Sequence, residues 1–283
     1  MKIKNIILVS IGNFQEYIIY NIKQLLLLNF KVYIITNKKF FPNLDNFKNN
    51  ITLVDADNLS INFPKKDNFR NLTSKRFFLI YEFMKIENLT NVIHLENDVL
   101  LYSDLDFEFQ DKIYLTMDSE NRCIPSIIFI PKYNYLDNLI KNYQFKINDM
   151  TNLSIFFHNN ENIVETFPII NNSFEKSIYN KNFTKFNSIF DAAAIGQYIG
   201  GVDPNNVKKG QNTNTVGFVN ETCIIKYNNY SFEWKKKGNF YYPYIIIDDK
   251  LLLINNLHIH CKKLENFNME NPFETKYIKY NII

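Results

Sequence analysis

The residues best suited to chemistry lie in the segment 92–103, which reads V-I-H-L-E-N-D-V-L-L-Y-S. It begins as a buried strand and, without a turn residue, runs into the carboxylates Glu96 and Asp98. Because a strand places residues i and i+2 on one face, both carboxylates and His94 face one cavity if the extended geometry persists to Asp98. Two such carboxylates repel unless a cation separates them or one is protonated, and their oxygens suit Mg²⁺ or Mn²⁺ carrying a phosphorylated ligand. The alternative is that the pair simply begins a surface loop.

A second group of polar side chains lies near the C-terminus. Residues 251–255 have the pattern of a strand and are followed by N-L-H-I-H-C-K-K-L. If the strand continues, His258, His260 and Lys262 point to one side of it. Two imidazoles and an ammonium would be unusual in an apolar core, but they suit a divalent ion with a diphosphate, where neutral His binds the ion and Lys neutralises phosphate charge. A structural role is the alternative for either histidine.

The segment 189–205, I-F-D-A-A-A-I-G-Q-Y-I-G-G-V-D-P-N, concentrates small residues. It holds three of the seven glycines and a run of three alanines. Small residues allow the backbone to approach a ligand or another helix closely. Asp191 is predicted to cap the helical part of this segment while its carboxylate faces a cleft. The alternative is a tightly packed helix that ends in a Gly-Gly turn.

Arg76 lies near the start of a predicted helix. Thr73 or Ser74 can cap this helix, which runs to about Glu87. A cation in the first turn is mildly disfavoured by the helix dipole. Arg76 is therefore better explained if it holds a phosphate or a sugar, the alternative being a solvated surface arginine.

The N-terminal part of the chain predicts a βαβ unit. An apolar strand over Ile3–Val9 ends before Gly12, apolar residues recur at helical spacing over 14–28, and Lys31–Thr36 is a second strand. Strands and helices of these lengths give two parallel strands with a right-handed crossover. Such units commonly bind nucleotides, but the single Gly12 in the first loop excludes a dinucleotide or P-loop fingerprint.

Further elements are predicted in the rest of the chain. Asp118, at the end of one predicted strand, is a candidate acid for supporting the site or binding an acceptor. The remaining predictions are strands at 51–54, 113–117 and 126–130, helices at about 135–143 and 150–158, and a surface loop at 171–187.

Composition narrows the class of protein. The chain has 283 residues, of which 46% are hydrophobic, and it is most simply one large domain or one domain with a small appendage. The net charge of +3 comes from 32 basic and 29 acidic residues without long runs, which argues against a nucleic-acid-binding protein. The three cysteines form no C-x-x-C pair, so a reducing compartment is expected. The first residues predict no signal peptide and no apolar run is long enough to span a bilayer, so we expect a soluble cytoplasmic protein.

The order of these features resembles a known family. A βαβ unit, a helix beginning L-T-S-K-R and then V-I-H-L-E-N-D-V-L-L-Y-S-D-L are similar to the nucleotide-sugar-binding half of GT-A glycosyltransferases, especially glycogenin-like and lipopolysaccharide-type members. In that family a D-x-D element at a strand end binds a divalent metal. Glu96 replaces the first Asp here, which makes its direct coordination less secure than that of Asp98. The heavy use of Lys, Asn and Ile also resembles sugar transferases of giant DNA viruses, which implies host cytoplasm or virion.

The resemblance implies a fold and a set of site residues. The fold would be α/β of GT-A type, a Rossmann-like mixed sheet flanked by helices, with a nucleotide-sugar half to about residue 118 and an acceptor-side half after it. A C-terminal histidine would complete the metal site, and His260 is preferred over His258. Asp191 would orient hydroxyls and act as a catalytic base. The implied metal ligands are Glu96, Asp98, His258 and His260, and the implied contacts to the nucleotide sugar are Arg76, Glu96, Asn97 and Lys262.

The implied function is metal-dependent transfer of a hexose or N-acetylhexosamine from a nucleotide sugar, UDP-linked by expectation, to a glycan or other hydroxyl acceptor. Mn²⁺ or Mg²⁺ would neutralise the charge of the leaving diphosphate. Inversion and retention stay open. One alternative is a sugar nucleotidyltransferase, which should carry a glycine-rich loop after the first strand. The other is a noncatalytic carbohydrate-binding protein on the same scaffold.

Overall fold

The computed structural model describes the three ranges 5–64, 69–207 and 215–280. The predicted strand start at Ile3 lies outside them. The strands are β1 Asn5–Ser10, β2 Lys31–Thr36, β3 Ile51–Asp55, β4 Thr90–Leu95, β5 Val99–Leu101, β6 Ile113–Ser119, β7 Arg122–Lys132, β8 Val164–Thr166, β9 Ser231–Lys237, β10 Phe240–Ile247, β11 Lys250–Leu253, β12 Asn256–His258 and β13 Ile278–Tyr280. The helices are α1 Ile18–Leu27, α2 Phe69–Ile86, α3 Asp137–Lys141, α4 Asp149–Asn159, α5 Phe183–Phe186 and α6 Ala194–Gly200.

A seven-stranded sheet in the order β3-β2-β1-β4-β7-β6-β8 forms the centre of the fold. The first four strands are parallel, β7 is antiparallel to β4 and to β6, and β8 is parallel to β6. The sheet is buried on both faces. In β1, Ile6 and Leu8 pack in a cluster with α1, whereas Ile7 packs in a cluster with α2. The predicted α/β class with a mixed sheet flanked by helices is therefore confirmed.

The βαβ unit is confirmed, with one difference in its helix. β1 and β2 pair in parallel from Asn5 opposite Lys31 to Ser10 opposite Thr36, and β2 has its predicted bounds. α1 begins at Ile18, four residues after the predicted start, and no side chain caps it at Tyr17. The residues before it form a loop and turn beyond the end of β1.

The predicted start of α2 at Thr73 or Ser74 is wrong. The helix begins at Phe69, so Arg76 lies in its second turn rather than its first. Ser74 is buried and accepts a hydrogen bond from the Tyr143 hydroxyl at 2.7 Å. The dipole argument about Arg76 consequently loses its basis, since the dipole acts mainly on the first turn.

The acidic pair lies on a turn and not on a strand. β4 ends at Leu95, and the Val99 amide donates to the Glu96 carbonyl at 3.1 Å, which closes a turn before β5. The extended geometry therefore does not persist to Asp98. β5 leaves the central sheet and pairs antiparallel with β12, with His258 opposite Val99. This pairing brings a segment near the C-terminus to the middle of the chain.

A second sheet of four strands, in the order β11-β10-β9-β13, was not predicted except for its edge strand at 251–255, which is observed as β11. Its pairings join β9 to β13 at the chain's end, so no local pattern reveals the sheet as a whole. Phe232 and Trp234 are buried within β9. The alternation S-F-E-W-K was the available signal. The predicted surface loop at 171–187 also contains the short helix α5.

No helix within the described ranges has both the length and the apolar character needed to cross a bilayer.

Replacing Ile93 by Ala tests the central sheet. Ile93 is fully buried in β4 and packs in the cluster that contains Ile6 and Leu8. We expect the free energy of unfolding to fall by about 2–5 kcal/mol, because the removed atoms leave a cavity. Ile86→Ala is the matched control, since Ile86 is 58% exposed at the end of α2. Urea denaturation followed by fluorescence of the single tryptophan, Trp234, measures both, and equal midpoints would contradict the assigned core.

Candidate functional site

A cavity of about 1120 Å³ lies where β1, β4 and β12 end. Gln15 and Tyr17 line it after β1, and Glu96 and Asp98 line it after β4. The segment that ends β12 and follows it contributes His258, His260 and Lys262. Ligands of open α/β sheets bind beyond the carboxyl ends of the strands, which is where this cavity lies.

Glu96, Asp98 and His258 form a compact group at one wall of this cavity. His258 Nε2 lies 3.3 Å from Asp98 Oδ1 and 3.4 Å from Glu96 Oε2, and one ligand atom from each residue lies within 4.8 Å of the others. Two ligands that each lie about 2.1 Å from one ion are about 3.0–3.4 Å apart at ordinary coordination angles. Two carboxylates and an imidazole with this spacing fit a divalent cation such as Mg²⁺ or Mn²⁺.

The ring of His258 is held in one orientation. Its Nδ1 lies 2.9 Å from the Ala192 carbonyl oxygen, to which it donates. In neutral His258 this bond leaves Nε2 as a lone-pair donor directed at the two carboxylates, which is the usual arrangement of a metal-binding histidine. Burial opposes the charged ring, but Asp98 and Glu96 raise the pKa of His258 to about 9. The protonation of the His258 ring therefore depends strongly on the negative charges of Asp98 and Glu96.

His260 lies beside His258 but outside the three-residue group. The two rings have centroids 4.2 Å apart and are inclined by 34°. Burial and the neighbouring His258 lower the pKa of His260 to about 3, and its Nε2 has no hydrogen-bond partner among the described residues. The geometry therefore favours His258 as the metal ligand, the reverse of the preference drawn from sequence.

Lys262 joins the same wall of the cavity from a left-handed backbone position, with φ of 62°. Its ammonium contacts the Asp98 carboxylate and lies 3.7 Å from Asp203 Oδ2. Burial disfavours its charge, yet Asp98 raises the pKa of Lys262 above the ordinary value. A cation thus adjoins the acidic turn, and the predicted contact of Lys262 with a diphosphate stays a prediction.

Arg76 is a buried residue and not a solvated one. Its guanidinium forms ion pairs with Glu96 through Nη1 and with Asp149 through Nη2. Burial alone would lower its pKa, but Glu96 and then Asp149 raise it. Because both terminal nitrogens hold carboxylates, Arg76 acts in this structure on the orientation of Glu96 rather than as a free anion-binding group.

Asn97 ties the acidic turn to the end of β1. Its side-chain amide donates to the Val9 carbonyl at 2.9 Å and to Gln15 Oε1 at 2.7 Å. From the other side, the Asn21 amide donates to the carbonyls of Glu96 and Asn97, each at 3.3 Å. These bonds use both amide hydrogens of Asn97, so it braces the turn from which the carboxylates project.

Asp191 does not line the cavity. Its carboxylate is fully buried and accepts backbone hydrogen bonds from Ile195 at 3.0 Å, Gly196 at 2.9 Å and His258 at 2.9 Å. Burial raises the pKa of Asp191 to about 6, against the effect of these amides. In this structure the enclosed carboxyl faces backbone amides and not the cavity, so it has a structural role here, and the expected catalytic role stays a prediction without geometric support. Its predicted cap is real in part, since it binds two amides at the start of α6.

Two other predicted polar residues are held by contacts within the protein, and of these His94 lines the cavity whereas Asp118 does not. His94 is buried, its Nδ1 bonds to the Ile7 carbonyl at 2.9 Å, and burial lowers its pKa to about 4. Asp118 is also fully buried, and burial raises its pKa although it is paired with Arg122 through Nε at 2.8 Å and through Nη2. Asp118 therefore serves to hold Arg122, which itself lines the cavity.

Sequence reasoning missed Asp149 and Arg122 as cavity residues. Asp149 is the first residue of α4, and its place directly before a predicted helix at 150–158 was the available signal. Arg122 follows the turn between β6 and β7, where its spacing of four from Asp118 was visible. Neither signal indicates a site without the fold, because an acidic residue before a helix and an Asp–Arg spacing of four are both common on protein surfaces.

Comparison with known proteins gives likenesses in structure only. No protein-family model and no curated protein sequence matches the chain. The glycosyltransferase GlyE of Streptococcus pneumoniae TIGR4 aligns with a TM-score of 0.41 and 10% identity, over 59% of this chain and 45% of GlyE. This chain thus spans less than half the length of GlyE.

Two other solved structures give similar scores. The PaToxG glycosyltransferase aligns with a TM-score of 0.36 and 19% identity, over 57% of this chain and 68% of that one. A protein designated a glucose-1-phosphate thymidylyltransferase, from Bacillus anthracis, aligns with a TM-score of 0.38 and 8% identity, over 58% and 85%. Likenesses at these scores assign no activity to this chain.

Replacing Arg76 by Met tests the buried ion pairs. The change leaves the Glu96 and Asp149 carboxylates without their shared cation, so we expect a loss of about 3–5 kcal/mol in the free energy of unfolding. Lys85→Met is the control, because Lys85 is half exposed, lies 3.9 Å from Glu82 and should change stability by less than about 1 kcal/mol. Urea denaturation with EDTA present measures both. Equal effects of the two substitutions would show that Arg76 has no such role.

Proposed function

We propose that the chain is a metal-dependent glycosyltransferase that uses a nucleoside diphosphate sugar as donor and a hydroxyl group as acceptor. The observation that carries the proposal is the meeting of Glu96, Asp98 and His258 with Lys262 at one wall of a large cavity. The order of sequence elements that resembles GT-A glycosyltransferases supports the same function. UDP-hexoses and UDP-N-acetylhexosamines are the first donors to test.

Glu96, Asp98 and His258 would hold the metal ion, with Mn²⁺ or Mg²⁺ fitting the oxygen-rich group. When bound, such an ion supplies Lewis-acid stabilisation of the negative charge on a leaving diphosphate. The protein contributes rigidity to this group. Arg76 fixes Glu96, and the Ala192 carbonyl fixes the tautomer of neutral His258.

Lys262 would bind the diphosphate. Its ammonium already lies at the Asp98 carboxylate on the cavity wall, so a phosphate oxygen close to the acidic group would also be close to Lys262. Ammonium groups bind phosphates as point charges. His260, whose Nε2 has no partner among the described side chains and backbone groups, is a further polar group within reach of this wall.

In the transfer step, the acceptor oxygen forms a bond to the anomeric carbon while the bond from that carbon to the diphosphate oxygen breaks. The diphosphate keeps the electron pair, and the proton of the acceptor hydroxyl passes to solvent water in the cavity. Asp191 is too deeply enclosed to receive this proton. We assign acceptor binding to the half of the chain after residue 118, which supplies Gln197, Asp203 and Asn220 to the cavity lining.

The two alternatives predict different results in an assay of released nucleotide. A sugar nucleotidyltransferase would release pyrophosphate from a nucleoside triphosphate and a sugar phosphate, and it should carry a glycine-rich loop after β1, where this chain has only Gly12. A noncatalytic carbohydrate-binding protein would bind sugars without releasing any nucleotide.

A panel of nucleotide sugars incubated with Mn²⁺, with and without EDTA, tests the proposal. We expect release of nucleoside diphosphate that depends on the metal and increases with a glycan acceptor. Pyrophosphate release from triphosphates would instead support the nucleotidyltransferase, and sugar binding without any nucleotide release would support the binding protein.

Replacing Asp98 by Ala tests the acidic group directly. We expect metal-dependent nucleotide release to fall by at least about 100-fold, because the change removes a ligand of the ion and the partner of Lys262. Asp45→Ala is the control, since Asp45 is exposed and lies outside the cavity lining. Unchanged turnover in a folded Asp98→Ala variant would remove the proposed site.

A further inference from the structure

The Asp191 carboxylate connects two segments that are far apart in sequence. Its oxygens accept hydrogen bonds from the backbone amides of Ile195 and Gly196 at the start of α6. They also accept one from the amide of His258, which lies at the end of β12, 67 residues after Asp191. The carboxylate is fully buried. Charge-assisted bonds to backbone amides are strong and directional, so this group fixes the distance between α6 and the His258 backbone.

A second set of bonds runs along the same two segments. The Asn256 side chain donates to the Asp191 carbonyl at 2.8 Å and accepts from the Asp191 amide at 3.2 Å. The Ala192 carbonyl then accepts from His258 Nδ1 at 2.9 Å. Residues 191–192 thereby hold both the backbone and the ring of His258, and they leave Nε2 facing Glu96 and Asp98.

Gly196 sets how closely α6 approaches this strand. A Cβ atom at position 196 would lie 2.0 Å from the His258 carbonyl oxygen and 2.7 Å from the carbonyl carbon. The obstructing atoms belong to the backbone and cannot rotate away. Any larger residue must therefore move α6 or the end of β12.

The other side of His258 is already fixed to the acidic turn. Val99 pairs with His258 across β5 and β12, and the Ile259 amide donates to the Asp98 carbonyl at 2.8 Å. A shift imposed from the α6 side consequently changes the spacing of Nε2 from the two carboxylates. Ligand spacing controls metal affinity, and groups that orient a ligating histidine commonly change that affinity by about 10- to 100-fold.

We infer that Asp191 and Gly196 are positioning residues, which act through His258 to hold its ring nitrogen at metal-binding distance from Glu96 and Asp98. The inference rests on the proposed function, because it assigns these residues to the same metal group. On this inference Asp191 does not contact the substrate, and it acts instead by orienting His258, a ligand of the metal. Position 196 is then a glycine because α6 packs there against the His258 backbone.

Binding of Mn²⁺ to the whole protein, measured by electron paramagnetic resonance of the free ion, tests this inference without any turnover. We expect Gly196→Ala and Asp191→Asn each to weaken Mn²⁺ binding by about 10- to 100-fold. Gly200→Ala is the matched control on the same helix. A Cβ there would meet the Phe267 ring at 2.9 Å rather than the His258 backbone, so we expect less than about a threefold change.

The outcomes separate the two proposals. Failure of the unaltered protein to bind Mn²⁺ would overturn the proposed function and this inference with it. Binding by folded Gly196→Ala and Asp191→Asn variants that equals the unaltered protein would overturn the inference alone. Thermal unfolding followed by Trp234 fluorescence shows which variants are folded, and either folded variant decides the question. Loss of the fold in both would assign the two residues to general stability and would also overturn the inference.

Discussion

The charge balance of the acidic turn is the constraint on which the rest of the structure depends. Glu96 and Asp98 are mostly withdrawn from water and face the same imidazole, so their mutual repulsion has to be compensated by cations. Arg76 compensates Glu96 and Lys262 compensates Asp98. An uncompensated buried carboxylate costs several kcal/mol, so the fold must bring these partners together. The same balance keeps both carboxylates ionised, since the cations and His258 hold the pKa of Asp98 well below its usual value and lower that of Glu96.

The topology meets this constraint by returning the end of the chain to its middle. β5 leaves the central sheet directly after the turn and pairs with β12, which places His258 opposite Val99. Lys262 reaches Asp98 over a separation of 164 residues. The buried Asp191 carboxylate secures the returning strand from its other side. The site is therefore a product of long-range contacts, and its geometry is coupled to the packing of α6 and of the strands around it.

The errors of sequence reasoning have a common physical cause. Arg76 and Asp191 were both expected to face a ligand, Arg76 because a cation in the first turn of a helix is disfavoured and Asp191 because its carboxylate was expected to face a cleft. Burial reverses that expectation, since Arg76 is occupied by two carboxylates and Asp191 by three backbone amides. The second sheet was missed because β9 pairs with β13, whose position is known only from the folded chain. Which of His258 and His260 faces the carboxylates depended on the backbone conformation after His258, where β12 and its extended geometry end.

Local pattern in the sequence determined the βαβ unit, the α/β class and the set of residue types that meet at the site. Runs of branched apolar residues fix strands, and two close carboxylates require a cation wherever they lie. Tertiary structure alone decided which cation each carboxylate faces, which histidine nitrogen points at the pair, and which acid is enclosed. Those choices depend on distances of a few ångströms between segments up to 164 residues apart, and no periodicity within a segment encodes them.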